Sequence, residues 1–73
     1  MTLEELEAVL KISDRHLTHT VTGWLCVKYL TIDPSGLMHP AIRVGTSVGD
    51  GLTTREKALV RLGEMLENGE VSL

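Results

Sequence analysis

The sequence predicts an α+β fold: a small antiparallel sheet of two or three strands, flanked by an N-terminal and a C-terminal helix. Helix-capping signals followed by apolar stripes lie near both ends of the chain. Between them, residues 24–32 and 37–48 have the composition of two strands joined by a turn, which is a β-hairpin. A chain of 73 residues is long enough for one domain, which we expect to span residues 1–73.

The first helix is predicted to begin after Thr2. Thr2 and Glu5, which stands at the third helical position, form a capping box. An apolar stripe at helical spacing follows, made by Leu3, Leu6, Val9 and Leu10. We expect Ser13 and Asp14 to end this helix, and both helices to pack on one side of the sheet.

The hairpin prediction assigns two faces to its strands. Residues 33–36 (DPSG) have turn chemistry, and counting outward from them pairs Leu25 with Val44 and Cys26 with Arg43. One face is then mixed and is expected to meet water or a partner: Trp24, Cys26, Lys28, Leu30, His39, Ala41, Arg43 and Gly45. The other face is nearly all apolar and is predicted to be buried: Leu25, Val27, Tyr29, Thr31, Met38, Pro40, Ile42 and Val44.

Two short segments allow more than one interpretation. Alternation of Leu17, His19 and Val21 is compatible with a third strand, with Gly23 as a bulge or turn before the hairpin. Residues 70–73 are compatible with either a frayed tail or a short strand.

The second helix follows a glycine-rich connection at residues 45–51, which we expect to end the sheet. Thr53 and Glu56 form a second capping box, and the helix is predicted to run to about Asn68 with Gly69 as its stop. Its apolar positions are Ala58, Leu59, Leu62, Met65 and Leu66.

Charge is unevenly distributed along this chain, whose net charge is −3. Residues 1–14 carry four acidic side chains against one basic, residues 15–48 carry three basic against one acidic, and residues 49–73 carry five acidic against three basic. The acidic total disfavours strong non-specific binding to nucleic acid, and it favours docking on a basic protein surface.

No catalytic, cofactor or metal site is expected. Cys26 and His39 share the mixed face but would lie about 13 Å apart at about 3.3 Å per residue, too far to share one ion. Cys26 has no histidine within reach as a base, so a packed, inert thiol is predicted. The glycines before the second helix lack the lysine and the spacing of a P-loop.

A family resemblance covers residues 23–66. The pairs Gly23-Trp24 and Thr53-Thr54, the turn at 33–36 and the run 55–58 (REKA) resemble the arm-type DNA-binding domain of phage integrases. Gly49, Gly51 and Ala58 are also similar to a double-stranded-RNA-binding domain. Both resemblances imply a sheet backed by a helix. Of the basic residues that the arm domains carry on the sheet, only Lys28 and Arg43 appear here.

We therefore expect a soluble, cytoplasmic interaction protein without a membrane segment, which docks on a basic, nucleic-acid-binding partner protein. In acidity and lack of motifs it is similar to small phage inhibitors such as anti-CRISPR proteins. The predicted partner-binding residues are Glu4, Glu5, Glu7, Trp24, Lys28, His39 and Arg43. The alternatives are nucleic-acid binding through the face of Trp24, Lys28 and Arg43, and a homodimer that pairs through the Pro40-bearing strand or the exposed helix faces.

Overall fold

A computed structural model describes residues 1–28 and 41–73 of the chain. The elements in order are α1 (Leu3–Ile12), β1 (Arg15–Thr20), β2 (Gly23–Lys28), β3 (Ile42–Gly45) and α2 (Arg55–Glu67). The three strands form one antiparallel sheet in the order β1-β2-β3. The predicted α+β class, with a helix at each end of a three-stranded sheet, is confirmed.

Local hydrogen bonds cap both helices. Thr2 caps α1, as predicted, because its hydroxyl accepts a bond from the Glu5 amide at 3.1 Å. The cap of α2 is Thr54 rather than the predicted Thr53, because the Lys57 amide donates to the Thr54 hydroxyl. The third helical position is then a lysine, so the second capping box is not formed.

Glycine ends α2 in the predicted place. Gly69 has a φ of 73°, its amide donates to the Leu66 carbonyl, and the Glu70 amide donates to the Met65 carbonyl. These two bonds are a Schellman motif. The chain then leaves the helix without forming a strand at 71–73, and Val71 and Leu73 pack against the core.

A third strand is present at Arg15–Thr20, so the strand interpretation of this region is correct, although the strand begins earlier and ends before Val21. It pairs with β2 through six consecutive residues, from Arg15–Lys28 to Thr20–Gly23. β3 ends at Gly45, not at the predicted residue 48, because the Asp50 carboxylate accepts from the Thr46 amide and closes a loop there. Residues 29–40, which include the predicted turn and parts of both predicted strands, lie outside the described residues.

The predicted register of β2 and β3 is correct at one residue pair and wrong at the next two pairs. Trp24 lies opposite Gly45, as expected. A bulge follows, so Leu25 faces Arg43 rather than Val44, and Cys26 faces Ile42 rather than Arg43. Val44 is the extra residue on β3.

The predicted faces of β2 are consequently exchanged. Cys26, expected on the mixed face, is completely buried, and Trp24 packs against the core. Leu25 and Val27, expected to be buried, are only partly covered. The core lies between the sheet and the two helices and is made by Leu6, Leu10, Leu17, Cys26, Val44, Leu52, Ala58, Leu59, Leu62 and Met65.

Position 23 requires glycine for two reasons: its φ is positive, and strands β2 and β3 come close together there. Gly23 has a φ of 115°, and a Cβ there would lie 2.3 Å from the Gly45 carbonyl oxygen. Gly51 also has a positive φ, 71°, but a Cβ there would meet nothing within 4 Å. Alanine at position 51 therefore has only the cost of a left-handed backbone, whereas alanine at position 23 combines the cost of its own backbone conformation with that of the contact.

We expect Gly51→Ala to lower the free energy of unfolding by about 1 kcal/mol, the cost of a left-handed alanine. Gly23→Ala should lower it by about 3 kcal/mol or more, because the methyl group also forces the strands apart. Chemical denaturation followed by circular dichroism measures both. Equal losses in the two variants would contradict the close approach of β2 and β3.

Candidate functional site

An acidic groove runs between the first two turns of α1 and the first two turns of α2. The helices lie antiparallel, since the Met1 amino group pairs with Glu67 and Glu7 pairs with Arg55. They approach closely where Leu6 meets Gly63, at which a Cβ would lie 3.3 Å from the Leu6 Cδ2 atom. The groove is lined by Leu3, Glu4, Glu7, Arg55, Glu56 and Leu59.

The helix dipole explains why a carboxylate lies in the first turn of each helix. Glu4 is in the first turn of α1, and Glu56 is in the first turn of α2. Carboxylates in a first turn stabilise a helix through its dipole, so each has a local structural role as well. Glu4 and Glu56 also line one groove, together with Glu7.

The groove carries a net negative charge. Arg55 donates to Glu7 at 2.5 Å, and both side chains are about half exposed. Within residues 1–28 and 41–73, no ion pair joins Glu4 or Glu56 to another residue. Three carboxylates against one guanidinium, over the partly exposed Leu3, suit a cationic side chain with an aliphatic stem.

Of the predicted acidic contact residues, Glu4 and Glu7 line this groove. Glu5 does not line the groove; it is exposed and acts electrostatically on the Met1 amino group. Arg55 and Glu56 were missed, because about 50 residues separate them from Glu4 and Glu7 in the sequence.

Trp24 has an internal role at the sheet-to-loop junction. Its indole N–H donates to the Leu52 carbonyl at 2.7 Å, and the ring packs against the core. The His19 ring lies over it, with centroids 4.8 Å apart. Trp24 is therefore a half-buried structural residue rather than a solvent-facing one.

Trp24, Lys28 and Arg43 do not share one face. Arg43 faces Leu25 across the ladder, so it points away from the core, whereas Trp24 is on the core side. Lys28 lies opposite Arg15 at the other end of β2. His39 lies outside the described residues.

Cys26 is buried against the core. Burial raises the pKa of its thiol, while the neighbouring Arg15 guanidinium acts in the opposite direction. Arg15 also donates to the Cys26 carbonyl at 3.3 Å. A raised pKa and burial both reduce the accessible thiolate, which is the reactive form.

We expect native protein to show no thiol reaction with Ellman's reagent at pH 8, and one equivalent after unfolding in guanidinium, because burial protects the Cys26 thiolate. Val21→Cys supplies the control, since Val21 is fully exposed in the β1–β2 turn and should add one fast equivalent. Fast labelling of the native wild-type chain would show that Cys26 is accessible.

A serine–histidine contact was not foreseen from the sequence. The Ser47 Oγ and His19 Nε2 atoms lie 2.6 Å apart, in a cleft between the β1–β2 turn and the loop after β3. Nucleophilic catalysis needs such a contact, and it also needs a group that orients the imidazole and donors for an oxyanion. Among the hydrogen bonds of the described chain, none joins His19 to a carboxylate.

We expect Ser47→Ala to hydrolyse p-nitrophenyl acetate at the wild-type rate, because the contact lacks an orienting group. Release of p-nitrophenolate at 400 nm measures the rate, and His19→Ala reports the contribution of the free imidazole. A burst of one equivalent that disappears in Ser47→Ala would instead identify a nucleophile.

No set of three or more His, Cys, Asp and Glu side chains within the described ranges could hold a metal ion. No helix among these residues is long and apolar enough to cross a membrane.

Comparison with known proteins gives no match: no family model, no curated protein and no solved structure is significantly similar to the chain. The resemblance of residues 23–66 to integrase arm and double-stranded-RNA-binding domains therefore stays a prediction.

Proposed function

We propose that this chain is a non-enzymatic protein-interaction module, a small acidic inhibitor or adaptor that docks on a basic, nucleic-acid-binding partner protein. The acidic groove between α1 and α2 carries this proposal. It combines Glu4 and Glu56, which form no ion pair within the described residues, with partly exposed apolar surface at one place.

The groove suits an arginine or lysine side chain of the partner. Its methylene groups would lie on Leu3 and the edge of Leu59, and its cationic head would reach Glu4 and Glu56. A guanidinium forms paired hydrogen bonds with a carboxylate, which makes arginine the better fit. Glu7 is already bonded to Arg55, so its main role is to position that side chain in the wall of the groove.

The distribution of charge supports the same direction of binding. Glu5 extends the negative surface beyond the groove, and the chain as a whole has a charge of −3. Such a field accelerates encounter with a basic surface, and the acceleration falls as salt screens the charges. A protein that occupies the basic surface of a nucleic-acid-binding partner excludes nucleic acid from it. This is the action that we propose, and it is of the phage-encoded anti-CRISPR type.

No specific observation among the described residues favours nucleic-acid binding by the chain itself. It requires Trp24, Lys28 and Arg43 on one surface, whereas the bulge places Arg43 on the side of the sheet away from Trp24. A homodimer that pairs through the Pro40-bearing strand would use residues that lie outside the described ranges.

We expect Glu4→Lys combined with Glu56→Lys to weaken binding of an arginine-rich peptide about tenfold or more, because two carboxylates become like charges. Isothermal titration calorimetry at low and physiological salt measures the affinity. Glu64→Lys with Glu70→Lys is the control for net charge: it makes the same charge change near the other end of α2, where both carboxylates pair with Arg61, and it should weaken binding far less.

Peptide binding that both double variants weaken equally would show that only net charge matters and would refute the groove. Binding that neither variant affects would refute the electrostatic docking as well. Wild-type amide shifts upon peptide addition should concentrate at residues 3–7 and 55–59.

A further inference from the structure

The C-terminal end of α2 carries a chemically reactive pair of residues. Asn68 is followed directly by Gly69, and it is the single asparagine of a chain that contains no glutamine. The backbone nitrogen of the following residue can attack the side-chain amide of an asparagine. Glycine hinders this attack least, because it has no Cβ atom and leaves the backbone most free. Both residues are exposed, so the pair lies at the surface of the protein.

The reaction balances without a cofactor. The Gly69 nitrogen loses its proton and forms a bond to the Asn68 Cγ atom, the bond from Cγ to the side-chain nitrogen breaks, and ammonia leaves with the proton. Water then opens the resulting cyclic imide. Opening at Cγ gives aspartate, whereas opening at the main-chain carbonyl gives isoaspartate, in which the chain continues through the side chain. Either product makes the net charge of −3 more negative by one.

The folded chain keeps the reacting atoms apart. Ring closure needs the Gly69 nitrogen beside the Asn68 Cβ atom, in near eclipse about the Cα–C bond. Asn68 has a ψ of −4°, which places that nitrogen in eclipse with the Asn68 nitrogen instead. The Gly69 amide also donates to the Leu66 carbonyl at 3.2 Å. This hydrogen bond must break and ψ must rotate before the attack, so the last turn of α2 has to open first.

The residues after α2 hold this turn closed. We call residues 70–73 the C-terminal tail. The Glu70 amide donates to the Met65 carbonyl at 2.9 Å, which is the second bond of the Schellman motif. Val71 and Leu73 are half-buried against the core. Helix ends open at a lower free energy than the whole fold does, and packing of the C-terminal tail on the core opposes this opening.

We propose that Asn68 is a site of spontaneous deamidation, and that the C-terminal tail controls its rate by keeping the last turn of α2 closed. The reaction follows local opening of this turn and does not need unfolding of the sheet. Isoaspartate adds a methylene group to the main chain, which displaces the Gly69 and Glu70 amides from their acceptors. The inference is independent of the docking proposed for the acidic groove, because no residue of 68–73 lines it.

Mass spectrometry of the intact chain measures the reaction, because deamidation adds about 1 Da and Asn68 is the one side chain that can undergo it. The protein is incubated at pH 8, either folded or in guanidinium chloride. We expect the folded chain to react at least about tenfold more slowly, because the open turn is a minor state. Trypsin releases residues 62–73, whose aspartate and isoaspartate forms chromatography separates. Equal rates in the two solvents, or no mass gain by the folded chain over weeks, would overturn the proposal.

Two double variants test the role of the C-terminal tail. Val71→Ser with Leu73→Ser should release the tail and accelerate deamidation of the folded chain by about threefold to tenfold. Val21→Ser with Val48→Ser is the matched control, because it makes the same substitutions at two almost fully exposed positions. Its rate should equal that of the wild-type chain. Circular dichroism shows whether each variant is folded.

Local opening is separated from global unfolding by Gly51→Ala, which is expected to lower the free energy of unfolding at a position outside α2. Its deamidation rate should also equal the wild-type rate. Hydrogen exchange of the wild-type chain gives a second measurement, in which the Gly69 amide should exchange faster than the buried Leu62 amide. Equal exchange of these two amides, or equal acceleration by Gly51→Ala and by the tail variant, would refute control by local opening.

Discussion

The close approach of β2 and β3 at Gly23 and Gly45 is the constraint on which the arrangement of the sheet depends. A side chain at Gly23 would overlap the Gly45 carbonyl, so the strands can meet there only through glycine. Next to this contact Trp24 lies opposite Gly45, and the bulge at Val44 comes immediately after this pair. Because the bulge keeps Val44 and Ile42 directed to the core, Cys26 and Trp24 are the β2 residues that pack with them.

The helices could be predicted from local signals. Thr2 with Glu5, and Gly69 after an apolar stripe, act over a few residues. The sequence around them therefore specifies the start of α1 and the end of α2. The faces of β2 could not be predicted in this way. Trp24 and Cys26 are as compatible with a core as Leu25 and Val27, and the bulge that decides between the two sets depends on a contact between separate strands.

Only half of the acidic groove was visible in the sequence. The acidic start of α1 indicated Glu4 and Glu7, but the residues that face them come from α2 and are brought there by the packing of Leu6 on Gly63. The Ser47–His19 contact has the same origin, since it joins elements that are far apart in the chain. Such juxtapositions are properties of the tertiary fold, and neither spacing nor composition encodes them locally.

The position of Trp24 has a practical consequence for measurements in solution. It is the single tryptophan of the chain, and its indole is held between the His19 ring and the Leu52 carbonyl. Its fluorescence therefore reports on the junction between the sheet and the loop that leads to α2. Neither His19 nor Leu52 lines the acidic groove, so the emission spectrum distinguishes loss of the fold from occupation of the groove.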